Sequence, residues 1–325
     1  MPANLTPQYL EAESRYKQAT TAQEKLAALE EMLSTIPKHK GTEKMQADIK
    51  RRIARLRAES QKRGGAAKHK PFYHVEREGA GQVVLVGPPN SGKSQLLAAV
   101  TEAEPEVADY PFTTRVPLPG MMKFEDIQIQ LVDMPPLAPG LTEPWLFGII
   151  RNADAVLLVI DLSDDDLLTE METTLSMLSE AKIALDDKAA GDATVRKKTI
   201  LIGNKIDAPS AADNLEILKE FYCDRLSILP VSAKEGTNLD ALRRRVFDLL
   251  GVIRVYTKAP GKKANMTAPF VLKKGSTVID AASAVHRDFV HQLKFARIWG
   301  SDKFDGQMVE RTHALEDGDI LELHV

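Results

Sequence analysis

Apolar positions follow two different periods along this chain. Leu26, Leu29, Met32, Leu33 and Ile36 recur at spacings of three and four, so they line one face of a helix read over residues 8–35. Pro37 and Gly41 break it. A second helix starts near Thr42, a suitable N-cap, with Met45, Ile49, Ile53 and Leu56 on one face and the string KRRIARLR supplying the other. Two helices joined by a short turn predict a helical hairpin over residues 1–63, followed by a linker over 64–80 whose glycines and charges suit an exposed hinge. From Gln82 the period changes. Nearly continuous apolar runs, QVVLVG, IQIQLVD, AVLLVID, KTILIGN and SILPVSA, alternate with helical stretches at 92–103, 165–186, 211–222 and 238–250. Strands without polar alternation are buried on both faces, so residues 81–253 are expected to form an α/β domain with a mostly parallel sheet and helices on both sides. GMMKFEDIQIQLVD reads instead as a hairpin turning at Glu125 and Asp126, which adds one antiparallel edge strand. Beyond it, APFVLKKGSTVIDAASAVHRDF reads as a strand, a turn at Lys274 and Gly275 and a helix, with ALEDGDILELHV as a hairpin-like last strand. Residues 254–325 are thus expected to form a small α+β domain.

Composition narrows the setting. The one cysteine, Cys223, cannot form an internal disulfide, which favours a reducing compartment, and it is expected as a small buried hydrophobe. No basic flank precedes an apolar run at the N-terminus, and no stretch approaches the roughly 18 apolar residues of a membrane span, so a cytoplasmic protein without a membrane partner is expected. The net charge of −3 hides an asymmetry: Lys38 to Lys70 holds twelve Lys or Arg against three acids. Nine excess positive charges suit either a solvated face or contact with a phosphate backbone. The seven histidines show no zinc-ligand spacing, and the acidic run DLSDDDLLTE reads as a polar loop with a helix N-cap. Trp145 and Phe147 are expected to pack with the helix after DMPP, and Trp299 within the last domain.

Two motifs carry chemistry. GPPNSGKS, residues 87–94, follows a strand and opens a helix, the context in which G-x-x-x-x-G-K-S binds a polyphosphate. Glycines such as Gly87 and Gly92 let backbone N–H groups curl around the phosphates, and the helix N-terminus adds its dipole. Lys93 is expected to neutralise the β and γ phosphates and the Ser94 hydroxyl to ligate Mg²⁺, with Asn90, Ser91 and Gln95 completing the nucleotide contacts. GNKID ends a later strand. Asp207 there can accept both the N1–H and the exocyclic amine of guanine, a donor pair that adenine lacks, while Lys205 lies along the ring and Asn204 belongs to the same motif. VSAK, at the next strand end, would bring the backbone at Ser232 and Ala233 to the guanine O6, with Lys234 beside them.

With these motifs the chain resembles the Obg and developmentally regulated (DRG-type) GTPases of the TRAFAC class. The resemblance implies a Ras-like P-loop G domain. ADYPFTT, residues 108–114, looks like that family's switch I, which assigns Thr114, or less readily Thr113, to Mg²⁺ and makes Lys93 and Thr114 the catalytic candidates. Asp133 matches the switch II aspartate that holds the metal through water. Asn90 matches a position where some related GTPases bind K⁺ beside the phosphates. The basic hairpin looks like the DRG-type helical arm, and ARIWGSDKFDGQMVERTHALEDGDILELHV is similar to a TGS domain, a small ubiquitin-like α+β fold. Two departures stand out: Asp161 to Asn204 leaves room for one helix rather than the extra domain of DRG-type proteins, and Obg's glycine-rich N-terminal domain is absent.

DMPP departs from the family as well. Pro136 stands where switch II carries a glycine whose N–H meets the γ-phosphate, and Leu137 cannot orient water through its side chain. Without a substitute, GTP and GDP are expected to bind with similar affinity; Gly140, in APGL, is the substitute if the loop carries an insertion. The leading functional expectation is GTP and GDP binding with slow Mg²⁺-dependent hydrolysis on the ribosome or another RNA assembly, through the arm and the TGS domain, without DNA specificity and with room for an activating protein. The alternatives are an RNA-binding scaffold that holds GTP or GDP without useful turnover, and an ATP-dependent P-loop enzyme, against which NKID argues.

Overall fold

A computed structural model of the protein describes residues 12, 14–16, 28, 29, 31–33, 35, 36, 46, 49–53, 75–101, 116–185, 195–300 and 305–325. They fall into two units, Met1–Phe72 and Tyr73–Val325.

In the first unit the described residues are almost all helical, and Ala12, Leu29, Met32, Ile36, Ile49 and Ile53 form its buried core. Of the expected apolar faces, Leu29, Met32, Ile36, Ile49 and Ile53 are packed, and Leu26, Met45 and Leu56 lie outside the described residues. One expectation fails here. Arg15 pairs with Glu31 at 2.9 Å, whereas sixteen residues of straight helix would hold them about 24 Å apart at 1.5 Å per residue. Residues 8–35 are therefore not one straight helix. Lys50, Arg51 and Arg52 are exposed and helical.

The second unit opens with a six-stranded sheet in the order β2-β3-β1-β4-β7-β8. Its strands are β1 (Gln82–Val86), β2 (Leu118–Phe124), β3 (Ile127–Asp133), β4 (Ala155–Asp161), β7 (Lys198–Asn204) and β8 (Ser227–Pro230). All neighbours pair in parallel except β2, which pairs antiparallel with β3 through Lys123↔Gln128 and Phe124↔Ile127, as the hairpin reading requires. The continuous apolar strands serve two cores. In β1, Val84 and Val86 enter a cluster with helices α2 (Pro144–Asn152), α3 (Leu167–Glu180) and α4 (Ala211–Tyr222). Val83 and Leu85 enter the other, with α1 (Lys93–Val100) and α5 (Leu239–Leu250). Between Asp161 and Asn204 the described residues hold α3 and a small parallel pair, β5 (Ile183–Ala184) and β6 (Val195–Arg196). The helix expected over 165–186 stops earlier, because Lys182 turns left-handed at φ 58° and starts that pair. Cys223 caps α4 and is exposed, correcting its expected burial: it follows Tyr222, the last residue of the packed stripe.

A second sheet follows in the order β10-β9-β13-β11-β12, made of β9 (Val252–Thr257), β10 (Asn265–Lys273), β11 (Phe295–Trp299), β12 (Gln307–Val309) and β13 (Asp319–His324). Helix α6 (Val278–Val285), started by a Thr277/Asp280 capping box, and the short α7 (Phe289–Gln292) accompany it. Val278, Ala281 and Ala282 pack against Ile253, Val255, Ala296, Ile298 and Leu321. The last strand is not a simple hairpin arm: β13 lies between β9, to which it runs parallel, and β11, to which it runs antiparallel. Trp299 is half-buried under the Lys258 ammonium, 3.6 Å from the ring centre.

The two sheets meet around one arginine and one tyrosine of β9: Tyr256 donates its hydroxyl to Asp126, and Val271 packs against the first sheet's core. Arg254 of β9 donates to Glu125 and Asp126 at the β2–β3 turn, and to Asp317. Its guanidinium also lies 5.3 Å from the centre of Phe247, which stacks on Phe124 at 4.8 Å.

Candidate nucleotide site

The phosphate-binding loop runs from the end of β1 into α1. A Cβ on Gly87 would sit 2.2 Å from the Val159 carbonyl, and one on Gly92, whose φ is 85°, would sit 2.3 Å from the Asn204 amide nitrogen. Gly87 is thus demanded by a close backbone approach, and Gly92 by its positive φ and the Asn204 side chain packed against it. Asn90 is exposed and left-handed at φ 59°. The buried Lys93 ammonium donates to the carbonyls of Gly87 (3.2 Å) and Pro88 (2.7 Å) and to Ser91 Oγ (3.3 Å). Burial pushes its pKa down to about 8, against the opposing pull of Asp133. Ser94 donates its hydroxyl to Asp133 Oδ2, at the end of β3. Burial pushes the Asp133 carboxyl above its ordinary value, while the Ser94 hydroxyl and Lys93 hold it back. Asp133 Oδ1 is buried and accepts nothing among the described residues. Gln95 is the exposed third residue of α1.

The base-side motifs sit at the carboxyl end of the same sheet. Asn204 is fully buried; its amide donates to Ser91 O at 2.9 Å and its Oδ1 accepts the Ala233 N–H at 3.2 Å. One side chain thereby joins the phosphate loop to the VSAK loop, and removing it would orphan two buried groups at about 1–3 kcal/mol each. Asp207 is exposed, and a hydrogen bond from the Ser232 hydroxyl holds its carboxyl below the usual range. The N–H groups at Ser232 and Ala233 already have acceptors, Thr237 O and Asn204 Oδ1; that of Lys234 has none among the described residues. Lys205, left-handed at φ 63°, donates to Asp161 at the end of β4. Motif reading passed over Asp161, although its place as the last residue of an apolar strand was visible.

Switch I, with Thr113 and Thr114, lies outside the described residues. After Asp133 the chain runs past the phosphate loop: Met134 donates to Leu85 O (3.2 Å) and Leu137, buried in the core, to Gly87 O (3.1 Å). Ala138 N–H is taken by Thr142 Oγ1 at 2.9 Å. Pro135, Pro136 and Pro139 have no N–H. Gly140, exposed at φ 75°, is therefore the one residue of 134–140 whose N–H lacks an acceptor among the described residues.

Comparison with known proteins agrees with this arrangement. Residues 82–204 match the family described as 50S ribosome-binding GTPase, and residues 253–325 match the TGS domain. The chain is 29% identical over 359 aligned positions to an uncharacterized GTP-binding protein of Methanocaldococcus jannaschii, with 92% of each covered. It is 25% identical to human developmentally-regulated GTP-binding protein 2, covering 92% of this chain and 98% of the other. The chain is a relative of the developmentally regulated GTP-binding proteins. The 359 aligned positions exceed its 325 residues, so the archaeal relative carries residues that this chain lacks. The YchF GTPase of Schizosaccharomyces pombe shares the fold, at a TM-score of 0.55 and 14% identity over 77% of this chain and 99% of that one. GTPases of this family bind GTP or GDP, generally with Mg²⁺. The donor set fits the ion: the unpartnered Asp133 Oδ1 and the neighbouring Ser94 hydroxyl are hard oxygens.

Proposed function

We propose that this chain is a cytoplasmic GTPase that hydrolyses GTP slowly and acts on the ribosome or another structured RNA. In this reading residues 1–63 are a basic arm, 64–80 a linker, 81–253 the G domain and 254–325 the TGS domain. The observation that carries the nucleotide part is Asn204, because one buried amide ties the phosphate loop to the base-side loop and fixes both halves of a nucleotide site in one geometry. Catalysis is mainly positioning and charge stabilisation: water attacks the γ-phosphorus in line as its bond to the β–γ bridging oxygen breaks and GDP leaves, while Lys93 and the loop N–H groups hold the phosphate oxygens. Ser94, Asp133 and Thr114 would hold Mg²⁺, which neutralises charge on the β and γ phosphates. Asp207 reads guanine. The RNA part is supported by the nine excess positive charges of residues 38–70, of which Lys50, Arg51 and Arg52 are exposed.

Phosphate release over several turnovers, from GTP and from ATP, with and without ribosomes, tests this reading. GTP-selective release that ribosomes accelerate is expected. Pro136 and the engaged Leu137 N–H favour a second reading, a scaffold that binds GTP and GDP without turnover. Nucleotide-dependent sedimentation with ribosomes in the absence of phosphate release would select it. An ATP preference would overturn both.

A further inference from the structure

Asp161 is a carboxylate without a place in either nucleotide motif, yet each of its oxygens is engaged. It closes β4 in register with Asn204 of β7. Its Oδ1 accepts the N–H of Ser163 at 2.8 Å and the Ser163 hydroxyl at 2.6 Å, and its Oδ2 accepts the Lys205 ammonium. The Asp161 side chain is 15% exposed.

Lys205 has a second carboxylate close by. Asp207, two residues on, feels the charge of both Lys205 and Lys234. Neither lysine pairs with it. Lys205 is held by Asp161, and Lys234 by Glu235 at 3.1 Å. This partition matters chemically, because a carboxylate that accepts two N–H groups from guanine needs both oxygens available. An ammonium bonded to Asp207 would occupy one oxygen and offset the charge that makes such bonds about twice as strong as neutral ones. Two carboxylates compete for Lys205, and the one already fixed by two Ser163 donors and partly withdrawn from water holds it.

We propose that Asp161 is a positioning residue for guanine selectivity: by drawing the Lys205 ammonium back to the end of β4, it keeps that ammonium off the Asp207 carboxylate and lays the lysine stem along the pocket. This inference rests on the reading of Asp207 as the guanine acceptor. Lys205 then contributes its hydrocarbon stem to the base, while its charge is spent on the protein.

The test compares GDP with IDP, whose base lacks the exocyclic amine and so offers Asp207 one donor instead of two. Dissociation constants are measured on the full chain. Asp161→Asn releases Lys205 to Asp207 and is expected to lower GDP affinity about tenfold, with a smaller loss for IDP. In a Lys205→Met background, where no ammonium competes, the same substitution should change GDP affinity by less than about twofold. Ser163→Ala, which leaves every charge in place and loosens only Asp161, should shift the GDP to IDP ratio in the same direction and serves if Asp161→Asn does not fold. Equal losses for GDP and IDP, or a full effect that persists with Lys205→Met, would overturn the proposal and reduce Asp161 to a support of its loop. Asp207→Asn, measured alongside with XDP, separates the two failures. If it does not turn preference from GDP to XDP, the guanine reading itself is wrong.

Discussion

Arg254 and Asp126 form an ion pair at 2.9 Å across 128 residues of sequence, joining the TGS sheet to the turn of the β2–β3 hairpin. Glu125 and Asp317 share the same guanidinium, whose side chain is 10% exposed and whose pKa is raised, above all by the Asp317 hydrogen bond. The Glu125, Asp126 and Asp317 side chains are 53%, 21% and 32% exposed, so removing the arginine leaves their charges partly solvated and costs less than the roughly 3–5 kcal/mol of a fully buried pair. Arg254→Ala should still lower the midpoint of urea unfolding, whereas Asp126→Asn, which keeps an acceptor for Tyr256 and Arg254, should cost less. A midpoint unchanged by Arg254→Ala would show that the clamp adds no net stability.

The same clamp sets a pH dependence. Desolvation pushes Asp126 and Asp317 up, but hydrogen bonds from Tyr256 and Arg254 on the first, and from Arg254 on the second, leave both carboxyls below their ordinary values. Groups depressed in the folded state stabilise it above the ordinary carboxylate range, and that contribution is lost as pH falls through the folded values. Wild type should lose stability on acidification more steeply than Arg254→Ala below about pH 4. Parallel pH profiles for the two proteins would remove the clamp from this account.

In the proposed function, the segment after Asp133 is where GTP would be distinguished from GDP. With three prolines and three engaged N–H groups from Met134 to Gly140, the donor left without an acceptor among the described residues is Gly140. A charge-assisted bond is worth about 1.5–3 kcal/mol, so Gly140→Pro should reduce preference for a GTP analogue over GDP by about tenfold, while Pro136→Gly should change it little. Because Gly140 sits at a positive φ, Gly140→Ala serves as the control: it strains the turn but keeps the N–H. A gain in analogue preference with Pro136→Gly, and no reduction with Gly140→Pro, would return the sensor to position 136.

The arm should bind polyanions through charge. Replacing Lys50, Arg51, Arg52 and Arg55 with Ala should weaken ribosome or RNA affinity and flatten its dependence on log salt by about 0.7–0.9 for each phosphate no longer neutralised. An unaltered slope would make this segment a solvated face.

Asn90 offers a test that needs no mutant of the switches. If it helps hold a monovalent cation beside the phosphates, GTP hydrolysis should run faster in K⁺ than in Na⁺, and Asn90→Ala should erase the difference. Equal rates for wild type in the two salts would exclude that role.

What the sequence could reveal followed the range of each signal. The parallel sheet was legible because burial on both faces writes continuous apolar strands such as AVLLVID, and the phosphate loop because its glycines, lysine and serine are contiguous. The β2–β3 turn was legible too, being local. Asp161 was missed because its partner, Lys205, is set by the register of β4 on β7 and not by any spacing along the chain. The approach of Arg15 to Glu31 was hidden by periodicity, since apolar residues three and four apart do not say whether one straight helix carries them all. Arg254 gives no hint alone; its three carboxylates come from two distant turns.

The placement of β13 bears on how this protein is made. It occupies the centre of the second sheet, between β9 and β11, yet β9 leaves the ribosome some sixty residues before it. Until β13 arrives, β9 and β11 have no partner between them, and Arg254 waits for Asp317 as well. Because chains fold as they emerge, N-terminal parts first, the G domain can close around its own two cores while β9 still offers an open edge. The second sheet is thus among the last parts to close in synthesis, and a chain stalled before residue 319 would carry a finished first sheet attached to an unfinished second one.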